Sequence, residues 1–356
     1  MRNNTTLTGA VVGCGTGGML SVRALLGSER YELVGVADTS EDARVKVVEA
    51  GLEADVFPDA TALLASVLPD VLCVSTLAPS HAQIVQQGLE AGVRGLLLEK
   101  PIALDWKSGR GTLDLLVGRQ TPVVVPHGLL VRTAPLEVLR RISEGDIGEV
   151  EVIEIECAGW DLINAGVHWV DFALAILGDD RVQSVLAACD VSTRTFRDGI
   201  EVETEAVTYA VSRSGVRVVM QTGDHVRPAR AGKELVYRVY GNRGSIEFWG
   251  WEDRYSLHAG AAGSSTPMVV DTGPGVASAH QIYLEMLADM VASGEPRYEL
   301  AELSLRALEI CEAAYLSNRH RCVVALPLAA FAPPPAQDWD PGAQYRGRAG
   351  RDGRRL

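Results

Sequence analysis

Gly13-Cys14-Gly15-Thr16-Gly17-Gly18 follows a short apolar run, residues 7 to 13, and leads into a segment with apolar residues at helical spacing. A glycine-rich turn between strand and helix restricts what can be built around it. The first glycine permits a tight turn, Gly15 lets main chain approach a pyrophosphate, and Gly18 allows the helix to pack closely on the strand. The helix start, from Thr16 and Gly17 onward, presents unpaired N–H groups to phosphate oxygens. Asp38 closes the second apolar run, 31 to 38. It lies about 20 residues beyond the last glycine, where a carboxylate accepts hydrogen bonds from adenosine ribose hydroxyls. Alone, Asp38 reads equally as a strand-end cap; the combination points to a dinucleotide. An acid here repels a 2′-phosphate, and Thr39-Ser40 follows without an adjacent arginine, so NAD is expected over NADP. Arg44, one turn into the next helix, is the residue that would weaken that preference.

The turn sits in a longer pattern. Apolar runs at 7–13, 31–38, 70–76, 94–99 and 121–126 alternate with helical segments such as 81–92, which marks a parallel sheet with crossover helices. After residue 126 the pattern changes to a helix near 134–144, a strand at 149–157 and a helix near 164–177. Long alternating strands follow at 182–191, 201–212, 215–224, 234–250 and 253–259, with Asn242-Arg243-Gly244 as a turn. Helices over 279–293 and 301–318 and a strand at 321–326 close the folded part. The expected fold class is α/β: a Rossmann doubly wound parallel sheet over 1–126, then an α+β domain with an open, mostly antiparallel sheet over 127–331. The tail 332–356 lacks the apolar residues to build structure and is expected to be disordered unless a partner subunit holds it.

Composition bounds the function. A chain of 356 residues, 47% apolar and 22% charged, can bury two cores and leave a cleft between them. No apolar stretch reaches the roughly 18 residues of a membrane span, so no membrane partner is expected. A formal charge of −13 opposes nucleic acid as a partner. The six cysteines are scattered without paired spacing, so no metal site is expected and a reducing cytoplasm fits them. The start of the chain is too short and polar, before the first strand, for a signal peptide.

Glu99-Lys100-Pro101 ends the 94–99 run. A proline after lysine holds the lysine extended at the carboxyl edge of the sheet, where open α/β sheets bind ligands. There Lys100 can hydrogen-bond a substrate hydroxyl and stabilise developing alkoxide charge, or remain a solvated surface lysine. Thr76 and Glu99, at strand ends on the same edge, are further candidate cofactor contacts.

The order GCGTGG, VADTS, STLAPSHAQI, LEAGVRGLLLEKPIAL, EGDIGEV and GVHWVDFALAILG resembles the glucose-fructose oxidoreductase/inositol dehydrogenase/MocA family over residues 8 to about 328, including the late SLRALEICEAAYLSNRHRCVVALPL segment. The resemblance implies a Rossmann domain followed by an open mixed sheet, assembly as homodimers or homotetramers, and oxidation or reduction of a carbinol carbon of sugars and cyclitols. It also implies that Lys100 is catalytic and that His81 lies near the nicotinamide.

The family's second catalytic segment usually reads Asp-x-x-x-His-x-x-Asp; here it reads Asn164-Ala-Gly-Val-His168-Trp-Val-Asp171. Spacing i, i+4 puts Asn164 and His168 on one helical face. His168 is the candidate general base, since imidazole titrates near neutral pH, with a buried structural histidine as the alternative. Asn164 can orient substrate by hydrogen bonds but brings no charge. Asp171 reads as orienting the imidazole, as an acidic residue on an exposed helical stripe, or as pairing with a loop. Asp161 reads as the missing carboxylate or as a helix N-cap. His127 and Arg132, where the chain crosses into the second domain, and Trp160, a flat face for a sugar ring, are candidate substrate contacts. For Arg132 a surface ion pair, and for Trp160 a core or interface role, stand beside that reading. An NAD-retaining glycosidase and a non-catalytic NAD-binding regulator remain as alternatives to a dehydrogenase.

Overall fold

The computed structural model describes residues 6–193, 196–259, 268–273, 275 and 277–332. The tail expected to be disordered lies outside them apart from Ala332. Strands β1 (Leu7–Val12), β2 (Tyr31–Ala37), β3 (Asp55–Phe57), β4 (Val71–Val74), β5 (Gly95–Leu98) and β6 (Val123–Val124) form a parallel sheet in the order β3-β2-β1-β4-β5-β6. Helices α1 (Thr16–Leu26), α2 (Glu41–Glu49), α3 (Ala60–Ser66), α4 (His81–Ala91) and α5 (Trp106–Gly118) make the crossovers. Strands β4 and β5 are buried along their whole length, which is why they read as continuous apolar runs rather than alternating ones. Ser40, Asp59 and Asp105 start α2, α3 and α5 by accepting from the main-chain N–H three residues on. Strand order reverses between β1 and β4, and α1 opens at that switch point.

The chain then passes through α6 (Thr133–Ser143) and β7 (Val150–Ala158) to the segment expected as one helix over 164–177. It is two pieces: a π-helical turn, Leu162–Gly166, and α7 (Val167–Leu177). The Asp161 carboxylate accepts from the Asn164 N–H, and the Asp161 carbonyl accepts from both Ala165 and Gly166 at 3.3 and 3.1 Å, so the first turn is widened before the regular helix begins. Next come β8 (Val182–Asp190), the separate hairpin of β9 (Phe196–Arg197) and β10 (Ile200–Glu201), then β11 (Glu205–Ser212), β12 (Arg217–Gly223), β13 (Leu235–Gly241), β14 (Gly244–Phe248), β15 (Arg254–Ala259) and β16 (Met268–Asp271). With the short β17 (Val324–Ala325) the larger strands form a nine-stranded sheet in the order β16-β15-β14-β13-β7-β12-β11-β8-β17. Its described pairings are antiparallel except β7 with β12.

Two helices join the halves. The helix expected over 279–293 is α8 (Ala279–Ser293), yet it packs on the first sheet rather than the second. Leu284, Leu287 and Val291 are buried against that sheet, each contributing about 1.5–3 kcal/mol. Gly95 leaves room for them, because a Cβ there would stand 2.9 Å from Val291 and 3.1 Å from Leu287. The Tyr31 hydroxyl also donates to the Leu284 carbonyl at 2.7 Å. The second helix, α9 (Glu299–His320), touches α5 through Leu305 and buries Ala307, Ile310, Cys311 and Ala314 in the second core. The two domains are thus tied by packing as well as by the chain.

Candidate active site

At the end of β1 the chain turns at Gly13, with φ +98°, and its N–H reaches the Ala37 carbonyl at 2.7 Å. Four glycines shape the turn. Gly13 and Gly18 are in main-chain contact: a Cβ on Gly18 would lie 1.8 Å from the Gly13 carbonyl oxygen. Gly17 rests on Glu99, whose Oε1 would be 3.2 Å from an added Cβ. Gly15 has nothing within 4 Å of where its Cβ would be, and it caps α1 without any side-chain hydrogen bond. Open space in front of uncapped first-turn N–H groups, with no acidic residue in that turn, fits a pyrophosphate. Asp38 takes the Cys14 N–H on Oδ2 at 2.7 Å and the Ser40 N–H on Oδ1 at 2.8 Å, which fixes the carboxylate beside the turn and leaves lone pairs for ribose hydroxyls. Arg44 donates to the Asp38 main-chain carbonyl at 2.6 Å, so its guanidinium is tethered next to the ribose position.

Thr76 and His81 hold the turn after β4. The His81 ring is fully buried and its Nε2 lies 3.0 Å from the Thr76 carbonyl, while the Thr76 hydroxyl accepts from Ser80 at 2.7 Å. Burial lowers the His81 pKa, so the ring is neutral.

Lys100 follows at the end of β5, with a cis bond to Pro101. Its Nζ donates to the Asn164 main-chain carbonyl at 2.7 Å, which leaves two ammonium protons for other acceptors. Burial pushes its pKa down, against the charges of Glu99, Asp161 and Asp198. The π turn therefore meets Lys100 through main chain, and the Asn164 amide is spent differently: its Nδ2 donates to Asp161 Oδ1 at 3.0 Å. Asp161 is fully buried, caps the turn and forms an ion pair with Arg197 at 3.1 Å. Its charge still favours the ammonium of Lys100. The carboxylate that position 164 lacks is thus present electrostatically three residues earlier.

His168, in the first turn of α7, makes no hydrogen bond among the described residues and is held by rings: His127 at 5.1 Å and Trp251 at 5.5 Å, both edge-on. Burial lowers its pKa far below the usual imidazole value, and the charge of Lys100 lowers it further. His127 is pushed down to about 3 by the same two causes. Its Nε2 lies 2.8 Å from the Ser304 hydroxyl, and its Nδ1 faces Asp171 at 3.8 Å. Asp171 is fully buried without a hydrogen bond, and burial raises its pKa well above the carboxylate range. Both imidazoles are therefore neutral at pH 7 in the free protein. Histidine-labelled NMR should show neither the His127 nor the His168 ring titrating between about pH 6 and 8; a midpoint for either ring inside that window contradicts the burial argument.

The other sequence candidates are bound up in structure. Arg132 donates to the Trp251 carbonyl and pairs with Asp253 at 2.8 Å, which anchors the loop that carries Trp251 to His168. Trp160 is 45% exposed, with the Arg197 guanidinium 4.5 Å over its ring. Sequence reasoning missed three residues. His280 on α8 sits 2.7 Å from Glu99 in a buried pair, and that contact, with the charge of Lys100, keeps the Glu99 carboxyl ionised despite burial. Arg197 and Asp198 come from the β9–β10 hairpin, whose four strand residues leave almost no periodic signal. His280 is 181 positions from Glu99, and no local motif announces such a pairing.

A parallel sheet with a phosphate turn at its switch point, joined to an open antiparallel sheet that closes over the same edge, defines a two-domain Rossmann-type nucleotide-binding oxidoreductase fold. The chain belongs to the glucose-fructose oxidoreductase/inositol dehydrogenase/MocA family. Residues 7–127 match the family's domain described as "Oxidoreductase family, NAD-binding Rossmann fold", and 140–326 match its C-terminal alpha/beta domain. It is 26% identical to a D-apiose dehydrogenase of Paraburkholderia graminis over 352 residues, 91% of each chain. It is 25% identical to an inositol 2-dehydrogenase of Rhizobium meliloti over 262 residues, 68% of this chain and 75% of the relative. Its fold matches that of the Bordetella pertussis WlbA dehydrogenase solved with NADH and UDP-GlcNAcA, with a TM-score of 0.74, 21% identity, and 91% of this chain and 100% of that one covered. NAD is the cofactor the Rossmann domain serves. Among the described residues no helix is long and apolar enough to cross a membrane, and no three His, Cys, Asp or Glu side chains group as metal ligands.

Proposed function

We propose that the protein is an NAD(H)-dependent dehydrogenase acting on a secondary hydroxyl, or the matching ketone, of a sugar, cyclitol or sugar derivative. The observation that carries the reading is the half-buried Lys100, tied by one proton to the Asn164 carbonyl, in electrostatic contact with a neutral His168. Relatives named for apiose and inositol oxidation support the substrate class. Bound NAD supplies a two-electron hydride acceptor. A free Lys100 ammonium proton hydrogen-bonds the substrate oxygen and stabilises its alkoxide character as the carbon–hydrogen bond breaks. His168, neutral and without a competing partner, takes the hydroxyl proton in oxidation and returns it in reduction. Asn164 positions Lys100 by its main chain. A cationic donor beside a neutral imidazole suits a reaction whose net change on the sugar is loss of one proton and one hydride.

A panel of sugars, cyclitols and nucleotide sugars with NAD, read at the nicotinamide absorbance band, tests this directly. At least one member should reduce NAD with one keto product per NADH. Glycoside cleavage without net NADH would replace it with an NAD-retaining hydrolase, and tight NAD binding with no turnover across the panel would indicate a binding protein. Asp38 should make NAD bind at least about 100-fold more tightly than NADP, a difference of roughly 2.7 kcal/mol. Asp38→Ser should close most of that gap, because Arg44 is already tethered beside the ribose; equal affinities in the unaltered protein would overturn the assignment of Asp38. Self-association is proposed through the sheet face turned away from α7 and α9, where Leu186, Val207 and Tyr209 are exposed. The protein is proposed to work in the cytoplasm.

A further inference from the structure

A cavity lined by charged side chains lies away from the nucleotide edge. It has a volume of about 220 Å³ and is bounded by Leu174 near the end of α7, Val182 at the start of β8, Arg306, Glu309 and Ile310 on α9, Leu326-Pro327 after β17, and two loop arginines, Arg181 and Arg213. Its content of charge is unusual for an acidic chain. Among the described residues none of the three guanidinium groups donates a hydrogen bond or forms an ion pair, and Arg306 Nη2 is buried without any partner. Burial, and after it the charge of Arg181, disfavours the Arg306 cation, against the carboxylates of Glu309, Asp179 and Asp171. Glu309, the acid lining the cavity, already accepts the Leu328 N–H at 2.8 Å, and burial raises its pKa, which weakens it as a counter-ion.

Three like charges converge on one hollow with little to neutralise them. A buried guanidinium N–H without an acceptor is costly, so an occupant that supplies oxygen acceptors is favoured twice: it satisfies Arg306 Nη2 and offsets the Arg181–Arg306 repulsion. Arginine forks match the spacing of phosphate and carboxylate oxygens. We propose that this cavity is a binding site for a small oxyanion of at least two negative charges, a phosphate or a compact polycarboxylate, separate from the dinucleotide and substrate positions. None of the lining residues belongs to the Lys100–His168 cluster. By helix rise Leu174 stands about 9 Å along α7 from His168. Arg181 and Arg213 close the exposed side of the hollow and Arg306 its floor.

The test is calorimetric titration of the full chain, held at low salt with saturating NAD so that the α1 terminus is occupied, with inorganic phosphate and separately with citrate. Saturable binding of either is expected, and which of the two binds more tightly distinguishes phosphate from carboxylate as the natural chemistry. The double variant Arg181→Gln/Arg213→Gln, both exposed positions, should keep its melting temperature and its NAD affinity. It should lose at least about tenfold in anion affinity, or 1.4 kcal/mol; Arg306→Leu should do the same from the floor. Absence of saturable heat with both anions overturns the proposal. So does binding that the double variant leaves unchanged, since the anion then sits elsewhere. A change of sedimentation coefficient in the double variant, without anion binding in the parent, would make the arginines a contact between copies instead.

Discussion

Gly18→Ala should abolish measurable nucleotide binding and destabilise the first domain by about 3 kcal/mol or more. The added methyl would sit 1.8 Å from the Gly13 carbonyl oxygen and 2.7 Å from its carbon, both main-chain atoms that no rotamer change can move. Relief requires the turn itself to open, and Gly13 cannot yield easily, because its own missing side chain already faces the Ser75 carbonyl at 2.4 Å. Gly15→Ala is the matched control. Nothing lies within 4 Å of its added Cβ and its φ is −70°, so stability should stay within about 0.5 kcal/mol. NAD affinity should nonetheless fall, because that methyl occupies the space the pyrophosphate needs. Urea unfolding and NAD titration on the two variants separate fold from site; equal stability losses in both would contradict the assignment of Gly15 to ligand approach.

Lys100→Met should lower kcat by about a thousandfold, within the range for removing a charge-stabilising or proton-transferring group, while the dissociation constant for NAD changes by less than about threefold. Methionine keeps most of the buried volume and removes both the charge and the donor to Asn164. His168→Ala should bring a loss of about 10²–10⁴ in kcat. If the double variant loses no more than Lys100→Met alone, the two groups act on one proton path. Turnover surviving in Lys100→Met would show that the carbinol oxygen is stabilised by something else.

Much of the fold was legible because period and burial leave a direct trace. Fully buried parallel strands such as β4 and β5 are continuous apolar runs, and β11 alternates residue by residue because one of its faces is open. The glycine turn and Asp38 were legible for a different reason: main-chain contact and ribose recognition tolerate few residue types. What escaped depended on partners far away in sequence. The amphipathic pattern of α8 says that one face is buried but not against which sheet, and so its packing on the first sheet was not legible. The i, i+4 reading of Asn164 and His168 assumed a regular helix, whereas the Asp161 cap widens the turn at Asn164 and spends its amide on Asp161. Arg132 offered the charge of a substrate anchor, yet its pairing with Asp253 and the Trp251 carbonyl shows it holding up a neighbour of His168. His280 illustrates the limit most clearly, since a single histidine in a helix carries no sign that it will ionise a glutamate under the nucleotide turn.

The proposed reaction is hydride transfer at a carbinol carbon with Lys100 as the group that stabilises its oxygen. The most direct test is reduction of the keto sugar found in the panel with NADH deuterated on nicotinamide C4, followed by mass spectrometry of the product. One deuterium is expected on the new carbinol carbon with the unaltered protein, and near-complete loss of labelled product in Lys100→Met under conditions where the variant still binds NADH. A product without deuterium, or full labelling by the Lys100→Met variant, would contradict it.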